Sequence, residues 1–257
     1  MTSRRRAMLL LLLSALLLCI GVVALPAHDP TAYGDFAGDD PRGGFRNAAN
    51  VWSNVAFLVI GVIGVADVMR RRDALGTSFV SALTFFAAVV VTTFGSAWFH
   101  MHPLKNGITN PDTLLWDRLP ITLACAALLA LVLDRWLAPG WGNVVLPALI
   151  VLGFGSVEHW YRTGDLYPYA FFQFYALALP LLVMALDRRW SKWLLIALAA
   201  YVVAKICEDK DDSIYATFHV SGHMLKHLLA AAAAGALIRW LRLRDDLVRG
   251  GDDLLRE

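Results

Sequence analysis

The chain has 257 residues, 58% of them hydrophobic and 17% charged, against roughly 45–50% and about 25% in soluble domains. That excess of apolar residues, with a mean hydropathy of +0.56, excludes an ordinary soluble enzyme. The formal net charge of +2 says little by itself, and the chain carries neither a phosphate-binding glycine loop nor a basic, aromatic surface for nucleic acid.

The apolar residues come in long unalternating runs. Each is near the length needed to cross a hydrocarbon core of roughly 30 Å, and in lipid only helices satisfy the backbone of such runs. The expected fold is therefore all-α: a polytopic membrane protein with a seven-helix core and one further hydrophobic segment at the N-terminus. Arg4, Arg5 and Arg6 precede an apolar run over 7–25. Residues 1–26 are thus a first membrane helix or a signal peptide ending at Leu25-Pro26-Ala27, and the length of the run favours a retained helix. A polar segment follows over 27–46, expected on the non-cytoplasmic side. The core domain, 47–244, should contain helices over 51–69, 78–99, 113–133, 142–157, 168–186, 191–207 and 216–241, followed by a cytoplasmic tail over 245–257. Cys19, Cys125 and Cys207 lie in apolar segments without metal-ligand spacing and read as packing residues. Ala230 to Ala234 suits close helix packing.

Alternating passage sorts the charges. One side collects Arg4 to Arg6, Arg70 to Arg72, Arg135, Arg188, Arg189, Lys192, Arg239, Arg242 and Arg244. The other collects Asp35, Asp39, Asp40, Asp165, Glu208, Asp209, Asp211 and Asp212. The basic side should be cytoplasmic. On the acidic side fall His100 at the end of the second core helix, Asp117 at the start of the third, and Glu158 and His159 at the end of the fourth. Lys205 and Glu208 end the sixth, His219, His223 and His227 open the seventh, and Asn47, Asn50, Ser53 and Asn54 begin the first. These groups are expected to converge on one cavity near the non-cytoplasmic surface.

Ionisable groups at membrane depth are expensive and mark functional sites. Residues four apart on a helix are rotated by about 40° and separated by about 6 Å, so two of the three terminal histidines can hold one cation. With His100 they make a three-histidine site with an open position, the pattern of catalytic zinc. Such a zinc ion activates water and polarises a carbonyl. Asp117 is then placed to accept the proton of the attacking water, and Ser96, one turn before His100, to donate to a developing oxyanion. The plainer readings are an interfacial histidine, to which His102 is assigned, and a carboxylate favoured by a helix N-terminus for Asp117. His223 belongs to either pairing of the terminal histidines, with His219 or with His227. The greater depth of His227 favours the second. Asn47, Asn50 and Asn54 are expected to bond between helices. Asp35, Asp39 and Asp40 form a solvated acidic loop or a hard-cation site, and Glu158, Lys205 and Glu208 form an ion-pair network or line the cavity.

The pattern Asn50-x-x-Ser53-Asn54, Gly95-Ser96-x-x-Phe99-His100, Leu115-x-Asp117-x-Leu119-Pro120 and Phe218-His219-x-x-x-His223 resembles the alkaline ceramidases. They belong to a wider superfamily of seven-helix membrane hydrolases that includes adiponectin-receptor-like proteins. The resemblance spans roughly residues 45–241. It implies zinc on His100 and two of the terminal histidines, with Ser96 and Asp117 assisting hydrolysis of the amide of a ceramide-like lipid. Two departures stand out. The acidic Cys-Glu-Glu-x-Asn calcium motif of eukaryotic members is missing before the first core helix, and Trp116-Asp117-Arg118 replaces their Leu-Asp-Glu. Local matching to eukaryotic members pairs His219 with His223. The run from Ser221 to His227 resembles a bacterial branch in which His223 and His227 are the ligands, which implies residence in a bacterial inner membrane. The alternative from another class is a lipid-binding receptor with a structural zinc.

Overall fold

A computed structural model describes residues 3–25, 27–28, 33–38, 47–188 and 190–254. Pro26 of the candidate cleavage site, Asp39, Asp40, Arg189 and the last residues of the tail lie outside them. In chain order the elements are α1 (Ser3–Ala24), α2 (Ala48–Ser53), α3 (Val55–Arg70), α4 (Arg72–Leu75), a 3-10 turn (Gly76–Ser78) and α5 (Phe79–Met101). A hairpin, β1 (Leu104–Lys105) and β2 (Ile108–Thr109), leads to α6 (Pro111–Trp136). Then follow α7 (Trp141–Thr163), α8 (Tyr167–Asp187), α9 (Lys192–Asp209), α10 (Asp211–Phe218) and α11 (Gly222–Leu254). The expected all-α membrane fold is the observed one.

Among the described residues, six stretches are long and apolar enough to span a bilayer: Ala48–Arg70, Arg72–Met101, Pro111–Trp136, Trp141–Thr163, Tyr167–Leu186 and Gly222–Arg242. The expected sixth core helix is present as α9, 18 residues long, but Lys192 at one end and Lys205, Glu208 and Asp209 at the other keep it out of that set. Helix α6 is the centre of the bundle: 61% of its apolar window is buried, against 28% for α7. Helix α5 packs along α3 and α6, α7 along α6, and α11 along α9 and α3, while α8 lies on α6 and α7 and carries α1 on its far side.

Small residues allow these approaches. A Cβ at Gly61 would lie 2.9 Å from the Val90 nitrogen, and one at Gly64 would enter the ring of Phe86. Buried Ala82, Ala88, Ala126, Ala127, Ala130, Ala231 and Ala234 extend the same close packing around Phe86, Leu129, Leu131, Leu179 and Leu241. The outward face is apolar, with Val59, Val62, Val91, Val151, Leu152 and Val202 all exposed, as a lipid-facing surface requires. Trp52, Trp98 and Trp116 are exposed towards one end of the bundle and Trp141 and Trp190 towards the other, the placement of interfacial aromatic belts.

Two departures from expectation bear on the site. The fourth core helix runs on to Thr163, so Glu158 and His159 sit in its exposed last turns. There they pair with Arg162 and Asp165 and do not line the interior. The seventh does not run unbroken over 216–241: α10 ends at Phe218, His219 adopts a left-handed φ of 55° as its C-cap, and α11 starts afresh at Gly222. Between the strands Asn106 and Gly107 take φ of 57° and 82°, the geometry an Asn-Gly turn favours.

The basic end is tied by two buried carboxylates. Asp67 accepts from Arg242 Nη2 at 2.6 Å and Arg71 Nη1 at 3.2 Å. Asp134 accepts from Thr77 at 2.9 Å, Ser78 at 2.7 Å, and the backbone nitrogens of Gly140 and Gly142 at 2.7 and 3.0 Å. It therefore joins the turn before α5 to the start of α7. Replacing Asp134 by Ala strands four donors, and the expected loss is about 3 kcal/mol, read as a lower thermal unfolding midpoint in detergent. Alanine at the exposed Asp73 should leave the midpoint unchanged.

Candidate metal centre

His100 lies in the last turn of α5, and its position follows from how α5 meets α6. Gly95 has no Cβ, and one built there would collide with the Trp116 carbonyl and come within 3.4 Å of the Asp117 nitrogen. The two backbones therefore touch, which brings Ser96 close to Asp117. Both are buried. Asn47 Nδ2 donates to the His100 carbonyl at 3.3 Å and ties the start of α2 to the end of α5.

His223 and His227 come from the first turns of α11. Ser221 acts as its N-cap, its hydroxyl accepting from the Met224 nitrogen at 3.2 Å. Asp211 adds an outside carboxylate: its Oδ1 accepts from the Ser221 hydroxyl at 2.9 Å and from the His223 nitrogen at 3.0 Å, where a helix N-terminus favours negative charge. A side chain at Gly222 would meet the Cys207 carbonyl and come within 2.9 Å of the Asp211 Cα, so only glycine lets α11 begin this close to α9 and α10. Ser221 also donates to Asn50 Oδ1 at 3.2 Å.

These constraints bring three imidazoles together. His100, His223 and His227 are 1%, 2% and 2% exposed, and each offers a ligand atom within 4.8 Å of the others. Ring centroids stand 4.8 Å apart for His100–His223, 5.0 Å for His100–His227 and 5.0 Å for His223–His227. Ser53 Oγ lies 2.7 Å from His227 Nδ1, which leaves Nε2 as the ligand nitrogen and orients the ring. His100 Nδ1 is buried without a hydrogen-bond partner among the described residues. An orphaned buried nitrogen is costly, and three imidazoles gathered out of water suit a metal ion. The residues fit one.

His219 is outside this group. It is exposed, in the left-handed turn, with its ring against Tyr215, because the N-cap at Ser221 breaks the helix that would have put it on the same stripe. His102 is exposed, its ring tilted against Trp98 with centroids 4.2 Å apart. Of the expected amides, Asn47 and Asn50 bond between elements, while Asn54 donates within its own turn, to the Asn50 carbonyl at 2.8 Å.

A charged network flanks the cluster. Glu208 Oε1 accepts from Lys226 Nζ at 2.6 Å and from the Tyr33 hydroxyl at 3.0 Å, and Lys205 pairs with Oε2. Lys226 Nζ also lies 3.1 Å from His223 Nε2. Beside Asp117, buried Arg118 stacks on Trp160 at 3.9 Å and Tyr169 at 4.7 Å. No local sequence pattern marks Tyr33, Phe36 or the role of Asp211. The Ser221-Gly222 pair was the one local signal for the helix start.

Comparison with protein-family models, curated proteins and solved structures finds no match.

Alanine at His100, His223 or His227 should each reduce bound metal well below one ion per chain, whereas His219→Ala should keep the wild-type content, by elemental analysis of purified protein. Ser53→Ala keeps all three ligands but frees the His227 ring. It should weaken metal binding by about 10–100-fold in a competitive chelator titration.

Proposed function

We propose that the protein is a zinc-dependent membrane hydrolase that cleaves the amide bond of a ceramide-like N-acyl lipid, releasing a fatty acid and a sphingoid-type amine. The observation that carries this reading is the buried group of His100, His223 and His227 in a helical bundle that also buries the Ser96–Asp117 pair. The resemblance to the alkaline ceramidases supports the substrate class. Zinc on the three imidazoles supplies Lewis acidity to the amide carbonyl and to water.

Asp117 takes the proton as water adds to the carbonyl carbon and the C–O bond forms. It returns that proton to the nitrogen as the C–N bond breaks, so acid and amine leave with atoms and charge balanced. Ser96, which lies beside Asp117, is the donor we assign to the oxyanion. Burial at the end of the bundle lets an acyl chain remain among apolar side chains while its amide reaches the polar groups. The basic residues Arg70, Arg71, Arg72, Arg188 and Lys192 gather at the end opposite the histidines, which supports a site opening to the non-cytoplasmic side, and the resemblance to the bacterial branch supports a bacterial inner membrane.

Zinc-loaded protein in detergent should release fatty acid from a ceramide series, followed by mass spectrometry, and chelation should stop the release. Intact lipid after saturable binding would assign the protein to a receptor instead, and no turnover of any N-acyl lipid by fully loaded protein would end the hydrolase reading. Asp117→Asn should keep fold and zinc but lower kcat by about 10²–10⁴-fold, with zinc content, thermal midpoint and turnover measured on the same preparation.

A further inference from the structure

Of the aromatic rings against the histidine cluster, Phe57 and Phe36 are held in different ways. Phe57 of α3 meets His227 at 5.8 Å and belongs to the packed interior of the bundle. Phe36 comes from residues 33–38, a segment outside any helix. Its ring is 6% exposed and meets His100 edge-on at 4.7 Å, His223 at 4.4 Å and Phe99 at 6.0 Å.

Polar fastenings hold this strap in place. The Ala37 nitrogen donates to Asp211 Oδ2 at 3.0 Å, and the Tyr33 hydroxyl donates to Glu208 Oε1 at 3.0 Å while its ring stacks on Phe99 at 6.1 Å. Burial, reinforced by the Glu208 charge, pushes the Tyr33 hydroxyl well above its usual pKa, so it stays a donor at any physiological pH. Gly34 sits where a Cβ would come within 2.6 Å of the Pro103 carbonyl, and Gly38, at φ 73°, packs against Tyr215. Neither position has room for a larger residue.

We propose that Phe36 is the access-determining residue of the centre. Its ring covers the approach to His100 and His223 and keeps bulk water off both imidazoles. A substrate carbonyl reaches them only by taking the place of that ring. The ring touches two of the three imidazoles, so an acyl amide and Phe36 cannot both occupy that side of the cluster. The apolar wall also favours an incoming group that is itself largely apolar. The strap and the ligand helix share their fastenings: Asp211 holds Ala37 with one oxygen and the His223 nitrogen with the other, and Glu208 holds Tyr33 and Lys226. Displacing the ring therefore loosens contacts that also set the first turn of α11.

The inference takes the cluster to be the metal centre of the proposed function, but its main test needs no metal. Deuterium exchange at the imidazole C2 position, followed by mass spectrometry on metal-free protein, reads water access residue by residue. Phe36→Ala should speed exchange at His100 and His223 by about 10-fold or more, with His102 and His159, which are already exposed, unchanged. Phe36→Leu should restore slow exchange. Tyr33→Phe, which removes only the hydroxyl fastening, should give a smaller acceleration and serves if Phe36→Ala does not fold. In loaded protein, Phe36→Ala should lose its metal faster to a water-soluble chelator with unchanged stoichiometry before challenge. Wild-type exchange rates in both Phe36→Ala and Tyr33→Phe would overturn the proposal. Failure of the wild-type protein to take up any divalent ion would count against the metal reading, while the exchange rates would still decide the shielding role.

Discussion

The site is organised around the carboxylate of Asp211. Oδ1 takes the hydroxyl of Ser221 and the nitrogen of His223, and Oδ2 takes the nitrogen of Ala37. One side chain therefore sets where the last helix begins, which fixes the facing of His223 and His227, and also seats the segment that covers them. The helix start needs such a group because its first nitrogens have no carbonyl of their own to bond. In a bundle with little access to water, an unanswered donor is expensive. Asp211 answers one backbone nitrogen of α11, the hydroxyl of its N-cap and one nitrogen of the strap.

The same demand explains why the polar residues form clusters. At the basic end Asp67 and Asp134 gather donors from several elements each. At the histidine end Glu208 collects Tyr33, Lys226 and Lys205. A buried carboxylate with one partner removed is strongly destabilising, whereas a fully bonded network specifies a single arrangement. Arg118 obtains part of its environment from aromatic faces, with Trp160 and Tyr169 both within cation–π reach. His227 is held by Ser53, while His100 Nδ1 has no partner among the described residues, a cost that a bound ion would offset.

Much of this was legible in the sequence, for physical reasons that act locally. Long apolar runs can only be helices in lipid, so the approximate positions of six spans followed from hydropathy alone. Alternate passage then placed His100 and the terminal histidines at one end, because the length of each span determines which side its end reaches. The depth of His227 favoured its pairing with His223, but an uninterrupted helix would have left His219 on the same stripe. The break after Phe218 depends on Ser221 as a cap, on Asp211 ten residues upstream, and on Gly222 lying against the Cys207 carbonyl.

Sequence by itself determined the all-α membrane fold, the common end on which the polar residues gather, and the identity of His100, His223, Asp117 and Ser96 as candidates, since these depend on hydropathy, helical periodicity and the cost of charge in hydrocarbon. Tertiary structure alone decided that His227 and not His219 completes the cluster, that Glu158 and His159 turn outward, and that Phe36 covers the imidazoles. Those outcomes depend on contacts between residues far apart in the chain, Ala37 with Asp211 and Ser53 with His227 among them, and no local pattern encodes such contacts.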